Sequence, residues 1–133
     1  MGDRAIVHFT HGDEVSPAIY LHWGGGDVAE YLARCHARML GRFGDVGYTA
    51  ARFIGIAHQD IDGNTSLGTW NEGDLATIRT PKYSHGDAGV FIVHLTPAGQ
   101  PWQVEEHGGY GITANGTKPW PVCLVPYAAA VAP

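Results

Sequence analysis

Two segments near the start of the chain alternate between apolar and mixed positions with the two-residue period of β-strands. They span residues 4–10 and 18–23. Their apolar sides carry Ala5, Val7, Phe9, Ile19, Leu21 and Trp23. The connection between them is short, which indicates an antiparallel pair. Because Trp23 ends one apolar side just before a run of glycines, we expect it to pack under the next helix as a core anchor.

A helix should follow the glycine run, because Asp27 is a good N-cap residue and Glu30 completes a capping-box-like pair. Apolar residues then recur every three or four positions and form one stripe over four turns. The stripe comprises Val28, Tyr31, Leu32, Cys35, Met39, Leu40 and Phe43. Asp45 is predicted to cap a second helix that ends near His58. A short turn joins the two helices, so we expect them to pack antiparallel.

Three later segments have strand patterns, at residues 65–70, 89–95 and 102–107. The last two are separated by a turn and should form a hairpin, whereas residues 71–87 are mostly loop. After Gly108 the chain becomes rich in proline and alanine and carries almost no charge. We therefore predict one domain over residues 1–107 and a C-terminal tail over residues 108–133, either docked on the domain or loosely held.

The order of these elements predicts an α+β fold, a two-layer sandwich in which an antiparallel sheet of four to six strands packs one face on a helical hairpin. The length of 133 residues is that of one domain. An apolar fraction of 44% is ordinary for a globular protein and argues against disorder.

The charge of the chain argues against a nucleic-acid partner. The formal net charge is −5, and the eight lysine and arginine residues are scattered along the sequence. Phosphate backbones are bound by clustered cations. No apolar run approaches the roughly 18 residues of a membrane span, and the first residues lack a signal-peptide pattern. We therefore expect a cytoplasmic protein with no membrane partner, whose Cys35 and Cys123 are free thiols.

Eight histidines are unusual for a chain of this length. By strand alternation, several of them lie on the sheet face opposite the apolar side, together with one tyrosine. The resulting candidate site comprises His8, Tyr20, His22, His94 and His107. Such a face suits metal binding, proton transfer or a pH-sensitive surface. An ordinary solvated sheet face that carries histidines is the alternative interpretation.

No cofactor is indicated by a motif, and zinc is the ion that this face would suit. His8 and His22 come from adjacent strands with matching parity, so the predicted pairing places both imidazoles on one surface. Two ligands alone bind zinc weakly. A metal site therefore needs a third ligand from His94 or His107, and the sequence does not show whether those strands lie nearby.

Other chemical motifs favour structural interpretations. Gly24, Gly26 and Ala29 fit a loose dinucleotide-binding fingerprint, but a second helix and not a parallel strand follows. Asp27 also places negative charge where a phosphate would lie, so a tight turn with an N-cap is favoured. There is no serine-hydrolase elbow. Cys35 on an apolar stripe would be inert as a nucleophile.

Two strings near the start of the chain resemble a family of small uncharacterised phage, prophage and plasmid proteins. They are Gly2-Asp-Arg-Ala-Ile-Val-His-Phe and Ile19-Tyr-Leu-His-Trp-Gly-Gly, against GNRAV-hydrophobic-x-F and IYLHWNGG in the family. Further similar segments are Tyr48-Thr-Ala-Ala-Arg-Phe-Ile, Gly63 to Gly68, and Asp87-Ala-Gly-Val-Phe-Ile-Val. The resemblance covers about residues 2–95. Gly24 stands where the family has Asn, and the tail after Gly108 has no counterpart. The resemblance implies a mobile-element setting, and hence the host cytoplasm, but no reaction.

The sequence therefore favours a non-enzymatic accessory protein of a phage or mobile element that binds a host or viral protein. Inhibition of host defence is one role expected of such a protein. The alternative function is a small metal-binding protein or enzyme that uses the histidine-bearing face. A flat surface anchored by aromatic residues would favour the first function, and a concave pocket lined by His8, Tyr20 and His22 would favour the second. The oligomeric state is left open.

Overall fold

The computed structural model describes residues 2–39, 41–60, 66–109 and 118–122. Its N-terminal part follows the predicted strand pattern: β1 is Ala5–His11, β2 is Glu14–Val15 and β3 is Ala18–Leu21. Ile6 pairs with Tyr20 across the antiparallel β1–β3 ladder. Both predicted strands and their antiparallel pairing are confirmed. Leu40, Cys123 and most of the predicted tail lie outside the described residues.

Two helices follow the first strands. A 3-10 turn at Gly25–Asp27 leads into α1, Val28–Ala37, and α2 is Val46–Asp60. The carboxylate of Asp45 accepts the backbone N–H of Tyr48 at 3.0 Å, which confirms Asp45 as the cap of α2. The first helix is shorter than its apolar stripe, because backbone bonds such as Arg38 N–H to the Cys35 carbonyl tighten its last turn.

The second half of the chain adds strands to both sides of the sheet. Strand β4 (Leu67–Trp70) is followed by the helix α3 (Leu75–Ile78) and a 3-10 turn (Pro81–Tyr83). Three strands come next: β5 (Gly89–His94), β6 (Trp102–His107) and β7 (Lys118–Val122). The short α3 helix lies within a stretch predicted as loop. Its cap, Asp74, accepts the backbone N–H of Ala76 at 3.0 Å.

The strands form one mixed sheet in the order β4-β3-β1-β5-β6-β7, with β2 paired to β1. The α+β sandwich class is confirmed. The expectation of a purely antiparallel sheet is wrong for one pair, since β1 and β5 run parallel from Ala5 opposite Gly89 to Thr10 opposite His94. After β4 the chain passes through α3 and then enters β5, which lies on the side of β1 that β3 does not occupy. Because β5 runs in the same direction as β1, the pair is parallel.

The main core lies between the sheet and the helical hairpin. The stripe of α1 faces it as predicted, with Val28, Tyr31, Leu32, Cys35 and Met39 all buried. From the sheet come the alternating apolar positions of β1, β3, β5 and β6. Trp102 meets Phe9 edge-on, with 5.9 Å between their ring centroids. The apolar pattern of the strands and helices thus fills one continuous core.

A second, smaller core covers the opposite face of the sheet. The interpretation of that face as an ordinary solvated surface that carries histidines is therefore wrong. It contains Ile6, Ala18, Ile78, Val90 and Ile92, with Val15, Tyr20, Trp70, Leu75 and Tyr83 packed against it. Residues 71–87 lack periodicity in the sequence, yet they supply the residues that close this face. Two ordered layers therefore flank the sheet, one of them only a short helix and a turn.

The predicted core role of Trp23 is wrong. Its side chain is 42% exposed, and its ring meets that of His22 edge-on with 5.0 Å between centroids. The physical reason is that β3 ends at Leu21 and the chain bends at residues 22–23. Strand alternation does not continue through a bend, so the parity that buries Leu21 says nothing about Trp23.

The glycine run is a tight turn, as favoured over a dinucleotide site. Asp27 stands at the N-cap position of α1, but its side chain makes no capping hydrogen bond, so the predicted capping pair with Glu30 is wrong. The backbone N–H of Gly26 donates to the Asp3 carboxylate at 2.8 Å, and that of Gly25 donates to the Asp3 carbonyl at 2.8 Å. The carboxylate and the backbone carbonyl of Asp3 thus occupy two amides that a phosphate would need. A Cβ on Gly25 would lie 2.6 Å from the Asp3 carbonyl oxygen, so the close approach of these backbones requires glycine.

Cys35 gives a first testable result. Burial raises the pKa of its thiol to about 12, and the nearby Arg52 and Arg38 charges offset only part of that rise. We expect native Cys123→Ser protein to react with a thiol reagent at mildly alkaline pH far more slowly than the same protein in denaturant. Equal rates in the two conditions would mean that the thiol is accessible.

No helix within the described ranges is long and apolar enough to cross a membrane.

Candidate functional site

His8 is fully buried in the middle of the sheet and is bonded at both ring nitrogens. Its Nδ1 lies 2.9 Å from the Ser16 carbonyl oxygen, and its Nε2 lies 2.7 Å from the Tyr83 hydroxyl. The Trp70 indole N–H donates to the same hydroxyl at 2.9 Å. In the neutral ring that fits this network, Nδ1–H donates to Ser16 and the Tyr83 hydroxyl donates to Nε2.

Burial lowers the pKa of His8, opposed in part by its bond to Ser16. The neutral ring is therefore the form that this environment favours. A ring engaged at both nitrogens has none available for an added ligand. The network instead ties β1 to β4 through Trp70 and to the 3-10 turn through Tyr83, so His8 supports the surface beside it.

That surface is a group of five rings that we call the aromatic–histidine patch. Its members are Tyr20, His22, Trp23, Trp70 and His85. The Tyr20 hydroxyl and His22 Nδ1 share a hydrogen bond of 2.9 Å. Trp70 stacks on His85 with 5.8 Å between centroids and an interplanar angle of 19°. Tyr20 lies between these pairs, 5.4 Å from His85 and 6.1 Å from Trp70.

A second cluster gathers around a carboxylate on β6. Glu105 is 8% exposed, and Arg79 donates to both of its oxygens, Nε at 2.8 Å and Nη2 at 2.7 Å. His94 Nε2–H donates to one oxygen at 2.5 Å, and His107 Nε2–H donates to the other at 3.1 Å. The cluster thus links β5, β6 and the residue that follows α3.

Burial by itself would raise the pKa of Glu105. The hydrogen bonds from Arg79, His94 and His107 together outweigh that effect and hold the pKa at about 2, against an ordinary value of 4.5. A carboxylate that remains ionised and is held by four donors is a structural anchor. It is a poor general base, because its lone pairs are already engaged.

The five residues predicted as a site therefore fall into separate groups. Tyr20 and His22 contact each other, and His94 and His107 meet through Glu105. His8 lies on the strand between the two groups. Because Ile6 is opposite Tyr20, His8 and His22 are four positions apart along the ladder, about 13 Å at the usual strand rise. Matching parity places two residues on one face without placing them in contact.

No group of three or more histidine, cysteine or acidic residues in the described parts of the chain is arranged to hold a metal ion. His94, His107 and Glu105 come near such a group, but the Arg79 guanidinium already fills the position in front of the carboxylate. A cavity of about 240 Å³ lies elsewhere, at the β3–β4 end of the main core. Its lining consists of Ile19, Ile54, Leu67, Gly68 and Thr69 and carries no titratable side chain.

Sequence reasoning missed the residues that complete both clusters. Arg79 and His85 lie in the stretch without periodicity, where no pattern predicts which way a side chain faces. Trp70 shares a face with Ala18, because the two residues are opposite each other in the β3–β4 ladder. Its place in the patch could have been predicted only if the pairing of β3 with β4 had been known, and a single sequence does not provide the strand order.

No family model, curated protein or solved structure that was compared matches this chain.

Proposed function

We propose that this chain is a non-enzymatic accessory protein of a phage or mobile element that binds a host or viral protein through the aromatic–histidine patch. The observation that carries the proposal is the exposed Trp23 indole at one end of a row of five rings linked by successive contacts. Tryptophan and tyrosine are enriched among the residues that dominate protein interfaces. The mobile-element setting rests on the sequence resemblance alone.

The contacts within the patch support a binding role because they hold the rings in place before a partner arrives. His22 is fixed on one side by Tyr20 and on the other by Trp23. The Trp70 indole is fixed by Tyr83, which is in turn bonded to buried His8. A side chain that is already ordered loses less conformational entropy on binding, so more of its contact energy contributes to affinity.

The patch also suits a protein partner in its chemistry. Its surface combines apolar ring area with the polar atoms of histidine and tyrosine, and such amphipathic rings are common anchors at interfaces. No charged side chain belongs to it. A partner would thus meet an apolar anchor surrounded by hydrogen-bonding groups, the usual plan of an interface centre and rim.

Replacement of Trp23 by alanine should lower affinity for the partner by about 2 kcal/mol, or about 30-fold, the effect typical of an interface anchor. The partner would first be captured from a lysate of the natural host and identified by mass spectrometry. Its affinity for the purified variants would then be measured by calorimetry. Since Trp23 is outside both cores, the variant should keep the free energy of unfolding of the parent protein to within about 0.5 kcal/mol.

Gln59→Ala is the control, because Gln59 is exposed but lies on α2, on the other side of the sheet. It should bind this partner as the parent does. Loss of binding with Gln59→Ala and retention with Trp23→Ala would overturn the assignment of the patch.

Inhibition of host defence is the role that we propose within the mobile-element setting. Expression of the chain should then raise the plating of a phage that the natural host restricts, and Trp23→Ala should lose that effect while Gln59→Ala keeps it. Equal plating with and without the chain would contradict this role but not the binding function itself.

A further inference from the structure

Four arginines come together on the helical layer. Arg42 and Arg52 lie over the exposed Tyr48 ring, Arg38 lies beside Arg52, and Arg34 lies one turn before Arg38 on α1. The four arginines are half of the eight lysine and arginine residues in a chain whose net charge is −5. We call these five residues the arginine–tyrosine patch. Packing of the two helices brings Arg52 of α2 next to Arg38 at the end of α1.

Each helix supplies part of the patch. Arg34 and Arg38 are one turn apart at the end of α1, where side chains four residues apart share a face. Arg52 reaches across from α2 and donates to the Arg38 carbonyl. Its guanidinium also lies 3.7 Å from the Met39 sulfur. Arg42, in the connection between the helices, completes the group.

The centre of the patch is a stack of guanidinium on tyrosine. The Arg42 guanidinium carbon lies 3.8 Å from the centroid of the Tyr48 ring, and that of Arg52 lies 5.5 Å away. Asp45 bonds to Arg42 at 3.4 Å through a single N–H. A guanidinium has five N–H donors. The stack thus orients a planar group, and the bond to Asp45 engages one of its donors.

We propose that the arginine–tyrosine patch binds an acidic segment of a protein partner, one that carries several aspartate or glutamate side chains. Planar guanidinium groups pair with carboxylates in a two-bond geometry, and arginines held by stacking are preorganised for it. The proposal goes beyond the aromatic–histidine patch, because it concerns the helical layer on the other side of the sheet and a ligand of opposite charge.

An acidic protein segment fits this surface better than nucleic acid. Nucleic acids bound without sequence preference stack their bases on aromatic rings. Arg42 already covers a face of Tyr48. In addition, the net charge of −5 repels a dense polyanion at long range, whereas a few carboxylates meet mainly the local field of Arg38, Arg42 and Arg52.

The test uses a short fluorescein-labelled oligoglutamate peptide and an oligothymidylate of equal formal charge, each titrated into the full chain and followed by fluorescence anisotropy. The peptide should bind at low ionic strength, more tightly than the oligothymidylate, and its affinity should fall as salt is added. Arg38→Gln combined with Arg42→Gln should weaken peptide binding about tenfold.

Lys82→Gln is the control for charge alone, because Lys82 is an exposed cation in the 3-10 turn on the other side of the sheet. It should change the affinity less than about twofold. Trp23→Ala should also leave peptide binding unchanged, which separates this surface from the aromatic–histidine patch. Arg42→Gln alone, with an expected loss of about threefold, provides the test if the double variant does not fold.

Three results would overturn the proposal: no binding of the peptide at low salt, an equal loss with Lys82→Gln, or tighter binding of the oligothymidylate. The last result would identify the patch as a single-stranded nucleic-acid surface.

Discussion

Leu32→Ala should lower the free energy of unfolding by about 2–5 kcal/mol, the range measured for truncation of buried leucines. Leu32 has no exposed surface and lies in the main core on the stripe of α1. Truncation removes apolar contacts and leaves a cavity that close-packed neighbours fill only in part. The loss should fall near the upper end of the range, because Leu32 has no exposed surface and the gap would be enclosed by the main core.

Urea unfolding followed by circular dichroism measures this effect. Gln59→Ala is the control, since Gln59 is exposed on the neighbouring helix and its truncation should change stability by less than about 0.5 kcal/mol. If Leu32→Ala were as mild as Gln59→Ala, α1 would not pack against the sheet through this stripe.

Glu105→Ala should cost about 3 kcal/mol at neutral pH, although no catalytic role is assigned to Glu105. The substitution leaves Arg79, His94 and His107 without the carboxylate that accepts their bonds. Removal of one partner from a buried ion pair costs about 3–5 kcal/mol. The lower end applies because the Arg79 side chain is 41% exposed and water can solvate it in the variant.

The cost should depend on pH in a definite direction. The pKa of Glu105 is lowered to about 2 in the folded protein from an ordinary value of 4.5. A group whose folded pKa is lowered contributes its full stability above the unfolded pKa and loses it as pH falls towards the folded pKa. The difference between the parent and Glu105→Ala should therefore be constant above about pH 5 and shrink below that value.

Urea unfolding of both proteins at steps from neutral pH to about pH 3 measures this difference. Gln103→Ala, on the same face of the same strand but exposed, should show no such dependence. A deficit that grew as the pH fell would contradict the lowered pKa of Glu105.

The sequence predicted the elements that repeat a simple pattern. β1 and β3 followed from two-residue alternation, and α1 and α2 followed from apolar spacing and from the Asp45 cap. The hairpin of β5 and β6 was also located. The errors fall where the pattern stops, at Trp23 just after β3 and in residues 71–87, because alternation carries information only while the backbone keeps its strand geometry.

The candidate site was predicted less completely for a related reason. Parity placed His8, Tyr20, His22, His94 and His107 on one face. Their contacts depend on strand order, which put β1 between the two groups. The parallel β1–β5 pair arises from a long-range return of the chain, and no local signal shows which edge a strand will join.

By itself, the sequence determined the fold class, the main core and the face on which the histidines lie, because these depend on residue periodicity and burial of apolar side chains. Only the tertiary structure decided the neighbours of each side chain. It buried His8 beneath Tyr83, exposed Trp23, placed three donor residues around Glu105 and brought Arg42 and Arg52 to the Tyr48 ring. His8 and Tyr83, like Glu105 and Arg79, are far apart in the chain, so their contacts are created by packing and are not encoded in any local pattern.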